Sequence, residues 1–590
     1  MIDHDPKQAP SEPGGTVKRV LIVSNLFPPV VVGGAEIVAH RQAKALAAQG
    51  FDVAVFAGGF AQEGAESGSL SLETGDGIPV YRLILTSLAT GENFHRPSDE
   101  QRFLSVLAAH QPEIVHFHNV AGLGFNLIPA AKAFGARVVV TLHDHGGFCF
   151  KSTLLRDDGR LCTDVEECAV CLPETKASDG TSLPIRLRRD YVAWCVDQAD
   201  HLISPSAYLA DAFAASGVVG KPVEALSNGI NGDRVTVRPK PAPEPVLFTC
   251  FGYLGEHKGI PTLLAAAEAL AREPELQGRW RLTIAGHGHL ADPLTQDIAA
   301  GRFGEAVEFV GRLPHEQALE HLARTHVVVL ASHWPENEPV TLLEAIASGT
   351  AQIATSLGGN LNLVEDGKSG LLVPPGDAEA LADAMRRFIK EPELALTYGA
   401  YNAARRGLFE ETQTLERLVS LYGTLHAAAP VARSAGDGGD IVVLCAGHVS
   451  SRERALQLQV MLHRFHLVED GKPRIRFVWH DWAGAPLWRE ARLLWLWGEA
   501  GEPELPLVAQ ALRAGIPVLA PTASPLVSVG AYASQIDTYE SLLEALGWLA
   551  ALQDVPATLR SVTGPGPSAA RFLNAMAPAS SFHLPVRAPA

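Results

Sequence analysis

Short apolar runs separated by polar, glycine-closed stretches recur along this chain. Arg19–Ser24 has the length and composition of a buried strand. A loop with Pro28, Pro29, Gly33 and Gly34 follows, then a helical stretch from Ala35 to Gln49 closed by Gly50, then a second strand, Asp52–Phe56. Strand, glycine loop, helix, strand is the opening of a Rossmann-like α/β unit. The alternation continues through Glu113–His118, Arg137–Leu142 and His201–Ser204. These runs are apolar throughout rather than alternating, as in parallel strands covered on both faces.

The pattern pauses at the Pro-rich stretch Arg238–Pro245, read as an interdomain linker, and restarts with Val246–Gly252, Trp280–Ala285, Val307–Val310, His326–Ala331 and Ala351–Thr355. Two α/β lobes are therefore expected, 17–237 and 246–426, with a ligand cleft between them. A second linker, 427–440, leads to a third α/β segment, 441–562, with apolar runs at Ile441–Leu444, Arg476–Trp479, Leu493–Trp497 and Pro517–Ala520. Residues 1–16 read as a loose leader and 563–590 as a loose tail. The third segment echoes the second lobe. Glu336 and Glu344, eight positions apart in a strand–loop–helix unit, have counterparts in Glu502 and Gln510. Either the third segment is a degenerate relative of the second lobe, or two similar units coincide by chance.

Composition narrows the function. Of the 590 residues 47% are hydrophobic and 19% charged, so sizeable cores are expected. A net charge of -17 argues against a nucleic-acid partner, which needs a basic surface. No run reads as a membrane span, and the N-terminus lacks a secretory pattern. Seven cysteines, three of them scattered (Cys195, Cys250, Cys445), fit a cytoplasmic chain with reduced thiols.

The candidate chemistry centres on Glu336 and Glu344. Between them Pro339 enters an apolar helical run, Val340–Ser348, closed by Gly349. The free amides at such a helix start, around Pro339 and Val340, suit a diphosphate. Glu344, one turn in, suits the vicinal diol of a ribose, and Glu336 suits a sugar's hydroxyls. An isolated pair of this kind would more simply complement the helix dipole. This pair has company. The stretch from His333 to Thr350 resembles the E-x7-E signature of family 4 glycosyltransferases. Phe251–Gly259, with Gly252 and Lys258, resembles their phosphate loop, and Ile284–Gly288, with Gly286 and His287, their strand-end glycine turn. Val307–Gly311, Gly358-Gly359 with Leu363–Pro374, and Asn228-Gly229-Ile230 complete the series, and the resemblance covers about 20–425.

The resemblance implies a GT-B fold: two Rossmann-like lobes facing a cleft, here with a third, smaller α/β domain. It implies a nucleotide diphosphate sugar as donor, a glycan or lipid-linked acceptor, retention of anomeric configuration and no cofactor or metal required for catalysis. Lys258 would carry positive charge to the leaving diphosphate, unless it is an ordinary surface lysine. Many relatives have Arg where this chain has Tyr253; the missing charge falls to Lys258 alone or to another group such as Arg312.

In the first lobe Gly33 and Gly34 would let backbone approach a phosphate or sugar. By resemblance His143 and Asp144, at a strand end, lie near the transferred sugar. His116 and His118 share a strand face, and His116 reads as a packed core histidine. Ser204-Pro205-Ser206 resembles a cleft-facing loop with no assignable role. Cys149, Cys162, Cys168 and Cys171 fall within 23 residues in a polar segment; structural zinc, two disulfides or four free thiols all fit, and zinc is expected because it orders loops lacking a core. The leading expectation is sugar transfer in polysaccharide or glycoconjugate biosynthesis, with peripheral contact at the inner face of a membrane left open. The alternatives are a GT-B scaffold that binds nucleotide sugar or, through the C-terminal domain, a protein partner, and a GT-B sugar-nucleotide epimerase.

Overall fold

The computed structural model describes residues 17–60, 68–85, 96–164, 168–172, 174–176, 182–232, 235 and 240–428, with the strands 441–447, 475–479, 491–497, 518–521 and 532–534. The leader 1–16, most of the second linker, Glu502, Gln510 and the tail 563–590 lie outside the described residues. The chain forms two compact units, one of residues 1–171 with 195–428, the other of 172–194 with 429–590.

The first unit holds two sheets. One has eight strands in the order Val223–Ala225, His201–Ser204, Arg137–Thr141, Ile114–Asn119, Arg19–Ser24, Asp52–Phe60, Ile78–Leu85, Leu70–Gly75. Arg19–Ser24 is central and fully covered, as its apolar sequence requires. The final pair, antiparallel, is a hairpin absent from the sequence reading. Its signal was present: Asp76-Gly77, both at positive φ, between two runs of strand length.

The second sheet is wholly parallel, in the order Val307–Phe309, Trp280–His287, Val246–Tyr253, Val327–Leu330, Ala351–Thr355, Gly370–Val373. All five apolar runs read as strands are present, and Gly370–Val373, in the stretch that resembles the family's closing strand, forms the edge. Lobe boundaries differ from the sequence reading at two places. Ile230 and Val235 already pack in a core of the second lobe. The stretch read as a linker lies against that lobe at its described residues: Lys240 Nζ donates to the Leu322 carbonyl (2.9 Å) and to Thr350 Oγ1 (2.8 Å), and the Pro241 carbonyl contacts His326 Nε2. An ammonium on the last carbonyl of a helix is a C-terminal cap, which fastens the stretch down.

The second difference is the helix Glu411–Ala427, assigned by sequence to the second lobe. Its buried residues Thr414, Leu415, Leu418, Leu421 and Tyr422 form one face at helical spacing. Leu415, Leu418, Leu421 and Tyr422 pack with Val20, Ile22, Val55 and Ala57 of the first lobe. The chain thus returns to the first lobe after completing the second. The two crossings meet where Ile230 exchanges backbone bonds with Phe409 (2.7 Å) and Glu411 (3.0 Å).

In the second unit, five parallel strands run in the order Ile475–Trp479, Ile441–Gly447, Ala491–Trp497, Val518–Pro521, Tyr532–Ser534. Numbered along the chain this is 2-1-3-4-5. The second lobe's sheet reads 3-2-1-4-5-6, so removing its edge strand Val307–Phe309 leaves the same order. The echo between Glu336–Gly349 and Glu502–Gly515 falls on corresponding crossovers, Val327–Leu330 to Ala351–Thr355 and Ala491–Trp497 to Val518–Pro521. The order 2-1-3-4-5 is common among doubly wound sheets, so it accommodates both relatedness and coincidence.

Candidate active site

The second lobe presents its chemistry at the C-terminal ends of its strands, where a parallel sheet collects ligands. Val246–Tyr253 ends beside Trp280–His287, with Gly252 paired to Gly286 and Tyr253 to His287. A side chain on Gly286 would put its Cβ 1.8 Å from the Gly252 carbonyl oxygen, so only glycine permits this approach. A short turn, Glu256–Lys258, then carries Lys258 forward.

Lys258 Nζ donates to Glu336 Oε1 at 2.7 Å and lies 4.7 Å from the centroid of the Trp334 ring. The same carboxylate oxygen accepts from Ser332 Oγ (2.6 Å) and Trp334 Nε1 (3.0 Å). Glu336 is thereby buried yet satisfied, beside a cation that keeps part of its surface open.

Pro339 caps the helix Val340–Ala347, whose first amides point away from the helix body. Gly34, at the start of the first-lobe helix Gly34–Ala48, faces this start; a Cβ there would lie 3.4 Å from Val340 Cγ2. Glu344, in the second turn, takes His315 Nε2 at 2.7 Å and lies 3.8 Å from the Arg41 guanidinium of the opposite lobe. Gly33 differs from the sequence reading: its amide is already held by Glu36 Oε2 at 2.7 Å, so that helix start carries its own anion. Arg312 is exposed and, among the described residues, makes no bond or ion pair with Lys258 or Glu336. The neighbours of Tyr253 are imidazoles: His257 (5.7 Å between centroids), His287 (5.8 Å) and His289 (6.0 Å).

In the first lobe His143 and Asp144 follow the strand Arg137–Thr141 and line a pocket with His118, Asn119, Phe125 and Gly146. His143 Nε2 contacts His118 Nδ1 at 3.0 Å, with the rings stacked at 5.3 Å. Burial pulls the His143 pKa down to about 4, and burial together with the neighbouring imidazoles holds His118 well below the usual range. Both are neutral at pH 7. Among the described residues, His118 Nε2 is buried with no hydrogen-bond partner. Asp144 Oδ1 accepts from Gly146 N at 2.7 Å, capping a short turn, so Asp144 shapes this loop directly. His116 is a core histidine, as the sequence indicates, bonded to Tyr422 Oη (2.6 Å) and Thr141 Oγ1 (2.7 Å), with burial lowering its pKa to about 3.

The zinc expectation is not confirmed. Among the described residues no three His, Cys, Asp or Glu side chains are placed to share a metal ion, and Cys149, Cys162, Cys168 and Cys171 are in no disulfide. Cys149 sits in a turn against the backbone of Lys151, Ser152 and Leu154, with burial the chief cause of its raised pKa. Cys162 Sγ bonds the Asp164 carbonyl, and Cys168 with Cys171 spans a single helical turn. Cys168 Sγ donates to the Phe148 carbonyl, 20 positions earlier and beside Cys149, and Cys162 contributes to the raised pKa of Cys149.

Ser332, Trp334, His315, Arg41 and Asn337 surround the candidate site without having been singled out from sequence, and Ser206, read there only as part of a cleft-facing loop with no assignable role, bonds Asn337. Trp334 and Asn337 flank Glu336 closely enough to be suspected. Arg41 and Ser206 lie in the other lobe, and only the fold brings them near.

Known families match this arrangement in two contiguous blocks. The Glycosyltransferase Family 4 model matches residues 32–234, and the Glycosyl transferases group 1 model matches 235–405. The chain belongs to the family 4 glycosyltransferases. Among the relatives of this glycosyltransferase, the glycogen synthase of Mycobacterium tuberculosis is 28% identical over 401 residues, covering 64% of this chain and 87% of its own. A lipopolysaccharide core biosynthesis mannosyltransferase of Rhizobium leguminosarum bv. viciae is 30% identical over 186 residues, covering 30% and 50%. Among solved structures, the sucrose-phosphate synthase of Thermosynechococcus elongatus superposes with a TM-score of 0.55 at 23% identity, covering 70% of this chain and all of that one. The HepE protein of Anabaena, solved with UDP, gives 0.50 at 18% identity, covering 69% and 100%. These likenesses establish the GT-B fold of the two lobes.

Proposed function

We propose that this glycosyltransferase moves a sugar from a nucleoside diphosphate donor to a hydroxyl of a glycan or lipid-linked acceptor, with retention of configuration. The observation that carries the reading is the convergence of Lys258, Glu336 and the start of the Val340–Ala347 helix, with Gly34 of the other lobe against that start. Lys258 and the helix amides supply positive potential where the departing diphosphate gains charge, in a partly water-excluded cleft. Glu344 holds the ribose diol and Glu336 a hydroxyl of the donor sugar. His143 offers a neutral imidazole to the sugar or acceptor, and Asp144 maintains the loop that carries it. In the transfer the sugar–phosphate C–O bond breaks, the new glycosidic C–O bond forms, and the acceptor's proton is released with the nucleoside diphosphate. HepE, solved with UDP and with UDP-glucose, makes uridine diphosphate sugars the first donors to try.

A thermal-shift panel of nucleotide sugars identifies the donor, since a true donor raises the melting temperature with its affinity. With it, Glu344→Ala should raise the donor KM roughly tenfold, and Glu336→Ala should lower kcat by about two orders of magnitude. Wild-type kinetics in both variants would refute these roles.

A further inference from the structure

Asn337 follows Glu336 directly and is buried. Every side-chain bond it makes crosses to the other lobe. Nδ2 donates to the Leu142 carbonyl at 3.2 Å and to the His143 carbonyl at 3.1 Å, while Oδ1 accepts from Ser206 Oγ. Two carbonyls facing one end of the amide settle which end carries the protons. Ser206 is itself fixed: its Oγ caps the helix Ala207–Ser216 by accepting from Leu209 N at 3.2 Å.

On its own lobe the Glu336–Asn337 backbone is pinned by Gly359. The Gly359 amide donates to the Glu336 carbonyl at 2.7 Å, and a Cβ on Gly359 would fall 1.4 Å from the Asn337 oxygen. One short segment therefore holds Glu336 on one side and the backbone of His143 on the other. Two further bonds cross nearby, Asn228 N to Glu338 Oε2 (2.7 Å) and Tyr208 N to Asn362 Oδ1 (3.3 Å), but neither touches His143.

We propose that Asn337 is a positioning residue that sets His143 of the first lobe in register with Glu336 of the second, locking the lobes in the geometry required for transfer. This rests on the glycosyl-transfer reading. The physical logic is that a buried amide has no substitute for lost partners. Lobe opening must break all three bonds together, and closure restores them only in one register. Donor affinity resides in Lys258, Glu344 and the helix start, none of which Asn337 touches. Asn337 therefore governs turnover rather than donor binding.

The test is Asn337→Asp, which keeps the shape but replaces the donor facing two carbonyls with a carboxylate oxygen that repels them. With UDP, GDP and ADP as binding probes, its Kd for whichever nucleotide the wild type binds should stay within about threefold. kcat should fall at least ~30-fold, the scale expected of a misaligned reacting pair. Adding Ser206→Ala should lower kcat little further, because both changes act on one network. Hydrogen exchange should quicken in peptides covering 142–149 and 204–210 and stay unchanged in 258–290. Asn337→Ser, which removes the amide without adding charge, should show the same pattern at smaller size and stands in if the Asp variant does not fold. Wild-type kcat and exchange in the variants, or kcat and Kd falling in parallel with uniformly faster exchange, would overturn the proposal. If the wild type turns over no nucleotide sugar, the activity assignment fails, and the exchange comparison still decides whether Asn337 joins the lobes.

Discussion

Buried ionisable groups give this molecule a defined response to pH. Glu338 accepts from the Asn228 amide, and burial raises its pKa from 4.5 to about 7. The fold thus favours the protonated acid. As pH rises past 4.5 the unfolded chain ionises Glu338 while the folded chain resists, so a destabilising contribution grows until about pH 7 and is constant above it. Because Glu338 keeps some exposure, the full effect is of order ~2 kcal/mol. Glu338→Gln should therefore melt higher than wild type at pH 8 and equally at pH 4.5; a pH-independent difference would reject this account. Histidines contribute with the opposite sign. His116, His118, His143 and His145 all have pKa values depressed chiefly by burial. Their stabilising share is complete above pH 6.5 and is lost as pH falls toward 4, so the first lobe should unfold in mild acid. Comparing Glu338→Gln with wild type at each pH cancels that shared effect.

Among the elements, the closing helix Glu411–Ala427 is the least expected. Its apolar face is legible in the residues, but the surface it meets is some 400 residues earlier in the chain. Leu418 is 1% exposed within the first-lobe core, whereas Leu408, just before the helix, is 72% exposed. Leu418→Ala should cost about 3 kcal/mol and Leu408→Ala under ~0.5 kcal/mol in thermal or denaturant unfolding. Similar losses at both positions would show that the helix does not seal that core. The cysteine segment teaches the converse. Close spacing suggested a metal site; among the described residues no such ligand group is placed, and spacing alone does not determine where sulfur atoms point.

For the whole molecule, two arrangements matter. The lobes of the first unit bring the Val340–Ala347 helix start to within contact of Gly34, and they join at Asn337, Glu338 and Asn362. The second unit repeats the strand order of the second lobe without its edge strand. In the sequence its counterpart of Glu344 is Gln510. Calorimetric titration with the best-binding nucleoside diphosphate should therefore give one site per chain, abolished by Lys258→Ala with Glu344→Ala. A second site surviving that double change would assign nucleotide binding to the C-terminal unit. No described helix is long and apolar enough to cross a membrane.

The sequence by itself determined the elements and their chemistry. Apolar runs buried on both faces announced the parallel strands, glycines marked the strand-end turns, and the spacing of Glu336, Pro339 and Glu344 put both acids beside a helix start, because these are local consequences of backbone geometry. Tertiary structure alone decided which distant groups complete the site. Ser206 against Asn337, Arg41 near Glu344, and Tyr422 bonded to His116 are pairs 131, 303 and 306 positions apart. No local propensity encodes such pairs. They exist because buried polar groups must find partners when two separately patterned lobes close on each other.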